Sequence, residues 1–159
     1  MENGKVVAIS ISDNKGEKKR NIDKAKLVKG LGIENDAHAE GGERQVSLLA
    51  DESITRVKKD GLKVLYGDFA ENIVTKGVDH NRIRLGDTIM IGDEAVLKVT
   101  KIGKECHSPC NIFKQVGYCI MPEEGVFCSV EQSGKIHVGD RVNVLKPDPS
   151  KKPRSPFFR

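Results

Sequence analysis

The sequence contains no tryptophan, and aromatic residues fill only 4% of its 159 positions. A platform for stacking nucleic-acid bases therefore has little to be made from, and no nucleic-acid partner is expected. Long apolar runs are also missing. Nothing approaches the ~18 consecutive apolar residues of a membrane helix, and Met1-Glu2-Asn3-Gly4-Lys5 has no apolar core of a secretory signal. These absences lead to an expectation of a cytoplasmic protein with no membrane partner, in which disulfides are disfavoured. No Ser–His–Asp order, phosphate-cradling glycine loop or carboxylate pair stands out.

What is present fits one soluble domain with its own core. Hydrophobic residues make up 37% and charged residues 31%, with a mean hydropathy of -0.43. The net charge of +4 is local in origin. Residues 146–159 hold five basic residues and one acid, which leaves 22 of each sign in residues 1–145. Four of the six prolines (Pro147, Pro149, Pro153, Pro156) fall in the same stretch. The division expected is a domain over 1–146 and a disordered basic, proline-rich tail over 147–159.

Strand signals dominate the domain. Val6 to Ser12 mixes β-branched and small residues before the turn-rich Asp13-Asn14-Lys15-Gly16. Arg82-Ile83-Arg84-Leu85 alternates, breaks at Gly86-Asp87 and resumes as Thr88-Ile89-Met90-Ile91, and Gly92-Asp93 precedes Ala95 to Thr100. Period-2 runs between short turns predict a mainly β, antiparallel, barrel-like fold. Ile83-Arg84-Leu85-Gly86-Asp87 is echoed by Ile136-His137-Val138-Gly139-Asp140. In each, Gly supplies a positive φ and Asp can close an Asx turn. Two short helices are expected. In one, Asp51 caps a segment with Ile54 and Val57 on one face and Gly61 past its end. The other runs from Ser108 as cap and Pro109 through Val116 to Gly117.

All four cysteines lie between positions 106 and 128. As the second residue of the Ser108-Pro109 helix, Cys110 would meet unpaired backbone N–H groups that favour an anion, with His107 and Lys104 adding positive charge. A thiol of pKa ~8.5 is only ~3% ionised at pH 7, whereas one lowered to ~7 is ~50% ionised. Such a thiolate can ligate a soft metal or hold a persulfide. Two other readings stand beside it: a structural zinc site, for which the gaps lack a two-residue knuckle, and small hydrophobes packed in a core. For Cys128, in Val126-Phe127-Cys128-Ser129-Val130, the core reading is preferred. The loop from Gly32 to Arg44 carries glycines that would let backbone approach a ligand, and His38 and Arg44 offer donors to phosphate or carboxylate. Glu71-Asn72 has the composition of a turn, and His80 and His137 that of exposed surface positions.

Four segments occur in the order typical of MOSC domains: IENDAHAEGGERQVSLL, GDFAENIVTKGV, IRLGDTIMIGDEAVLKVT and KECHSPCNIF. Over roughly residues 4–146 the chain resembles that family, the C-terminal domain of molybdenum-cofactor sulfurases, which also occurs alone in bacteria. The resemblance implies a β-barrel-like fold and a cysteine that binds or sulfurates the molybdenum cofactor (molybdopterin). Ser108-Pro109-Cys110 matches the position of the family's functional cysteine, so Cys110 becomes persulfide carrier or metal ligand, with Cys106 as the second candidate. Asp36, His38 and Arg44 resemble the side of the pocket that receives the pterin phosphate. Asn72 lies in the family's Glu-Asn-Leu segment, where Ile73 replaces Leu. Two-domain sulfurases carry a desulfurase dependent on pyridoxal phosphate (PLP) ahead of this domain, and this sequence contains none. A separate cysteine desulfurase or a molybdoenzyme is the implied partner. Rival readings are a molybdenum-dependent oxidoreductase with Cys110 on the metal, and a non-catalytic adaptor that delivers the cofactor.

Overall fold

A computed structural model describes residues 2–14, 19–37, 39, 41–42, 45–103 and 124–147. The strands are β1 (Glu2–Ile11), β2 (Arg20–Ile22), β3 (Lys24–Val28), β4 (Gly32–Ile33), β5 (Val46–Ala50), β6 (Ile73–Lys76), β7 (Thr88–Ile91), β8 (Ala95–Ile102), β9 (Val126–Gln132), β10 (Gly134–His137) and β11 (Arg141–Leu145). One helix, α1 (Asp51–Lys59), follows β5, and a single 3-10 turn spans His80–Arg82. Hydrogen bonding runs β11-β7-β8-β9-β5-β6-β1, and β1 pairs again with β11. The sheet is thus a closed seven-stranded barrel, antiparallel except for the β5–β6 pair. Closure leaves no long open edge. β2 adds to β1, and β10-β3-β4 form a small separate sheet.

Alternation sorts the strand residues between two cores. Val46 and Leu48, Val126, Cys128 and Val130, and Ile89 and Ile91 belong to the larger cluster. Leu49, Val74 and Phe127, on the opposite face of their strands, join Ile54 and Val57 of α1 in the second. β5 is buried along its whole length because both of its faces are covered. In β1 the alternation slips. A bulge between Val6 and Ala8 sends Ala8 to the helix side, while Val6 and Ile9 both stay in the larger cluster.

Local expectations fare unevenly. The Gly-Asp echo is real: Asp87 Oδ2 accepts from Arg84 N and Asp140 Oδ2 from His137 N, each at 2.8 Å. Gly86 and Gly139 take φ of 88° and 98°. The stretch 82–85 is no strand, however. It begins on the last residue of the 3-10 turn, Arg82, and anchors by Ile83, which is 2% exposed. α1 forms where expected, but Ala50 is its cap and Asp51 its first residue, the Asp51 carboxylate accepting the Tyr66 hydroxyl instead. His80 is not a bare surface residue, since its Nε2 lies 2.7 Å from Thr75 Oγ1. The Ser108–Val116 helix and residues 148–159 of the tail fall outside the described residues. No helix among the described residues is long and apolar enough to cross a membrane.

Candidate functional site

Where β1 ends and β5 and β6 begin, polar side chains are buried together. Asp36 accepts at Oδ1 from the backbone N of Ser12 (3.0 Å) and from Lys19 Nζ (2.8 Å), and at Oδ2 from Asn72 Nδ2 (3.2 Å). The Lys19 and Asp36 side chains are 1% and 0% exposed. A charge pair so far from water costs desolvation energy unless its remaining hydrogen-bonding capacity is used, and here it is shared out among neighbours.

Asn72 is the hub. Its Nδ2 also donates to the Ser10 carbonyl (3.1 Å), and its Oδ1 accepts from Ser47 N (3.0 Å) and Ser47 Oγ (3.2 Å). One side chain therefore ties β1, the head of β5 and Asp36 together. Beside it, Glu71 is fully buried and accepts from Gly67 N (2.9 Å) and Phe69 N (3.0 Å). Burial outweighs these bonds and pushes the Glu71 carboxyl up to about 7. Gly67, at φ 99°, touches the Lys19 carbonyl, so a Cβ there would sit 3.1 Å from that oxygen.

Of the residues singled out from sequence, Asp36 and Asn72 are brought into direct contact, and Glu71-Asn72 is a buried junction rather than an exposed turn. His38, Arg44, Lys104, Cys106, His107 and Cys110 lie outside the described residues. Cys128 is fully buried in the barrel, and burial pushes its thiol far up, so it cannot supply a thiolate at neutral pH. The glycine expected to admit a ligand serves packing at Gly32, where a Cβ would meet the Gln45 carbonyl at 2.7 Å. Lys19, Ser12 and Ser47 were missed. Lys19 stands in a charged run typical of solvated turns, and nothing in its spacing points to Asp36.

Strand registers relate this junction to the cysteine segment. Ile102, Val126, Leu48, Ile73 and Ile9 are successive partners on β8, β9, β5, β6 and β1. Gly103 N donates to the Gly125 carbonyl at 2.7 Å, so the described residues on either side of 104–123 meet at one point of this row. At roughly 4.8 Å per strand, that point is within about 15 Å, along the row, of Ile73, the neighbour of Asn72. Among the described residues, no group of three or more His, Cys, Asp or Glu side chains is placed to hold a metal ion.

The fold is shared with solved structures of low sequence identity. The YuaD protein from Bacillus subtilis superposes with a TM-score of 0.76 at 20% identity, over 93% of this chain and 100% of that one. YiiM from Geobacillus stearothermophilus gives 0.67 at 17% identity, over 90% and 75%. YiiM from Escherichia coli gives 0.64 at 17% identity, over 93% and 71%. No curated protein sequence matches the chain. The model of the MOSC domain matches residues 35–143, a span that takes in Asn72, the 104–123 segment and most of the barrel. This chain belongs to the MOSC domain family.

Proposed function

We propose that this protein binds the molybdenum cofactor and carries sulfur for it as a persulfide on Cys110. Membership of the family supports the cofactor class. The observation that supports the site is the register row, in which Gly103 and Gly125, the described residues flanking the stretch that contains Cys110, lie on the same row as Ile73 beside Asn72. In this reading His107 and Lys104 favour the Cys110 thiolate, and Cys106 stands by as a second thiol. His38 and Arg44 donate to the anionic cofactor, while Asp36 and Asn72 hold their loop in place. The described residues fit such a ligand as a frame: a rigid, fully hydrogen-bonded base to a loop that must present donors at fixed positions. Molybdenum, when bound, supplies the redox chemistry of the enzyme that finally receives the cofactor.

The sulfur step balances without an external oxidant. The Cys110 thiolate attacks the outer sulfur of a persulfide on a PLP-dependent desulfurase. The S–S bond breaks, the desulfurase thiolate leaves, and Cys110 retains the sulfur as its own persulfide. Mass spectrometry after incubation with a cysteine desulfurase and cysteine is the test. A gain of one sulfur, mapped to Cys110 and lost in Cys110→Ala, is expected. Labelling that survives in that variant, or none in the wild type, rejects the carrier role. Stable molybdenum in protein from a cofactor-competent host, with no sulfur gain, would favour the oxidoreductase reading.

A further inference from the structure

A second, unrelated feature lies three residues further along β6 and four back along β1. Lys5 is the register partner of Lys76 on one side and of Arg141 on the other. Residues directly opposite on antiparallel strands point to the same face, so three cations stand in one row across β6, β1 and β11. All three are exposed, and no acid among the described residues pairs with any of them. Like charges directly opposite each other destabilise a sheet, yet here the arrangement occurs twice in succession. The separate small sheet repeats the pattern within itself, with Lys135 opposite Lys26 and His137 opposite Lys24. In sequence, β1, β3, β6, β10 and β11 contain six Lys or Arg and a single acid, Glu2.

The row forms one wall of an open groove of about 1110 Å³, which Lys135 also lines. Four glycines (Gly4, Gly77, Gly92, Gly139) line it as well; a Cβ at Gly139 would meet nothing within 4 Å, whereas one at Gly4 would collide with the Val78 side chain. Asp93 and Glu94, from the β7–β8 turn, and Asp140 complete the lining on the acidic side. Asp140 is already bonded to the His137 backbone. The two turn acids repel an anion toward the cationic wall. With no Phe, Tyr or Trp in the lining, recognition falls on charge rather than on ring stacking.

We infer that this groove binds a compact, multiply charged phosphate anion across Lys76, Lys5 and Arg141. Dense charge is needed to neutralise three adjacent cations at once, and phosphate supplies both the charge and the acceptors for lysine and arginine donors. A free polyphosphate and the polyphosphate of a small ester share this chemistry. A nucleic acid is disfavoured by the neutral balance of residues 1–145 and by the missing aromatic platform.

The inference is tested by calorimetric titration of the full chain at low salt with inorganic triphosphate, adenosine triphosphate and a single-stranded oligonucleotide. Saturable one-to-one binding of triphosphate is expected, weakened about tenfold or more in Lys5→Ala/Lys76→Ala/Arg141→Ala and unchanged in the distant Lys59→Ala. Adenosine triphosphate binding more tightly than triphosphate would mark an ester as the source; equal or weaker binding would mark a free polyphosphate. The unliganded triple variant should melt no lower than wild type, because the row repels itself. If it fails to fold, Lys5→Ala alone removes the centre of the row and carries the same test. No saturable binding, equal binding by the variant, or an oligonucleotide that outcompetes triphosphate overturns the inference.

Discussion

Asn72 Nδ2 donates to Asp36 Oδ2 at 3.2 Å while Lys19 Nζ holds the other oxygen of the same carboxylate at 2.8 Å. The two bonds join three segments separated by 17 and 36 residues in sequence. Removing the carboxylate should be severe, since it takes an anionic acceptor from the buried Lys19 ammonium and from the donors of Ser12 and Asn72. Asp36→Ala is expected to cost about 3–5 kcal/mol in a urea denaturation curve. A loss below about 1 kcal/mol, the range of an exposed pair, would show that water reaches Lys19.

Glu71 should make stability depend on pH in an unusual direction. Its folded pKa of about 7 lies above its ordinary 4.5, so between those values the folded state binds the proton more tightly than the unfolded chain. The stabilising contribution is complete below about 4.5 and is lost as pH rises through about 7. The difference across this window is about 3 kcal/mol at 1.36 kcal/mol per unit. Glu71→Gln should flatten the profile between those pH values. A wild-type profile from which this variant subtracts nothing would mean that Glu71 titrates normally.

Cys128 should be silent toward a thiol reagent in the native state and react only on unfolding, because it is wholly buried with a raised pKa. Cys128→Val adds one heavy atom to a closed position and should fold at a cost of about 1–3 kcal/mol, as expected of mild overpacking. Rapid native labelling at this position, located by peptide mapping, would contradict the barrel interior described above.

The two Gly-Asp turns offer a matched comparison. Both aspartates accept a backbone N–H three residues back, but Asp87 is 1% exposed and also binds Lys146, whereas Asp140 is partly exposed. Asp87→Ala should cost about 2–3 kcal/mol and Asp140→Ala about 1 kcal/mol. Equal losses in thermal or urea melts would show that burial adds nothing to this turn.

Much of the barrel was legible because its signals are local. Alternation gave β7 and β8 their faces, and Gly86-Asp87 and Gly139-Asp140 announced the same turn twice. Arg82 to Leu85 deceived because four residues alternate easily by chance, and Asp79, capping the 3-10 turn through Asn81 N, gives that stretch another way to satisfy its backbone. At the candidate site, Asn72 and Asp36 were visible only through the family motifs. Lys19 was not visible at all, since a buried lysine and a solvated one look alike in a charged run.

By itself the sequence determined what depends on neighbours a few residues away: strand periodicity, positive-φ turns, the helix after β5 and the order of the family's motifs. The tertiary structure alone decided which polar groups are withdrawn from water, as with Lys19 and Asp36, and which cations share a face, as with Lys76, Lys5 and Arg141. The physical reason is that burial and strand register are set by closure of the barrel. They pair residues tens of positions apart, and no local spacing encodes their meeting.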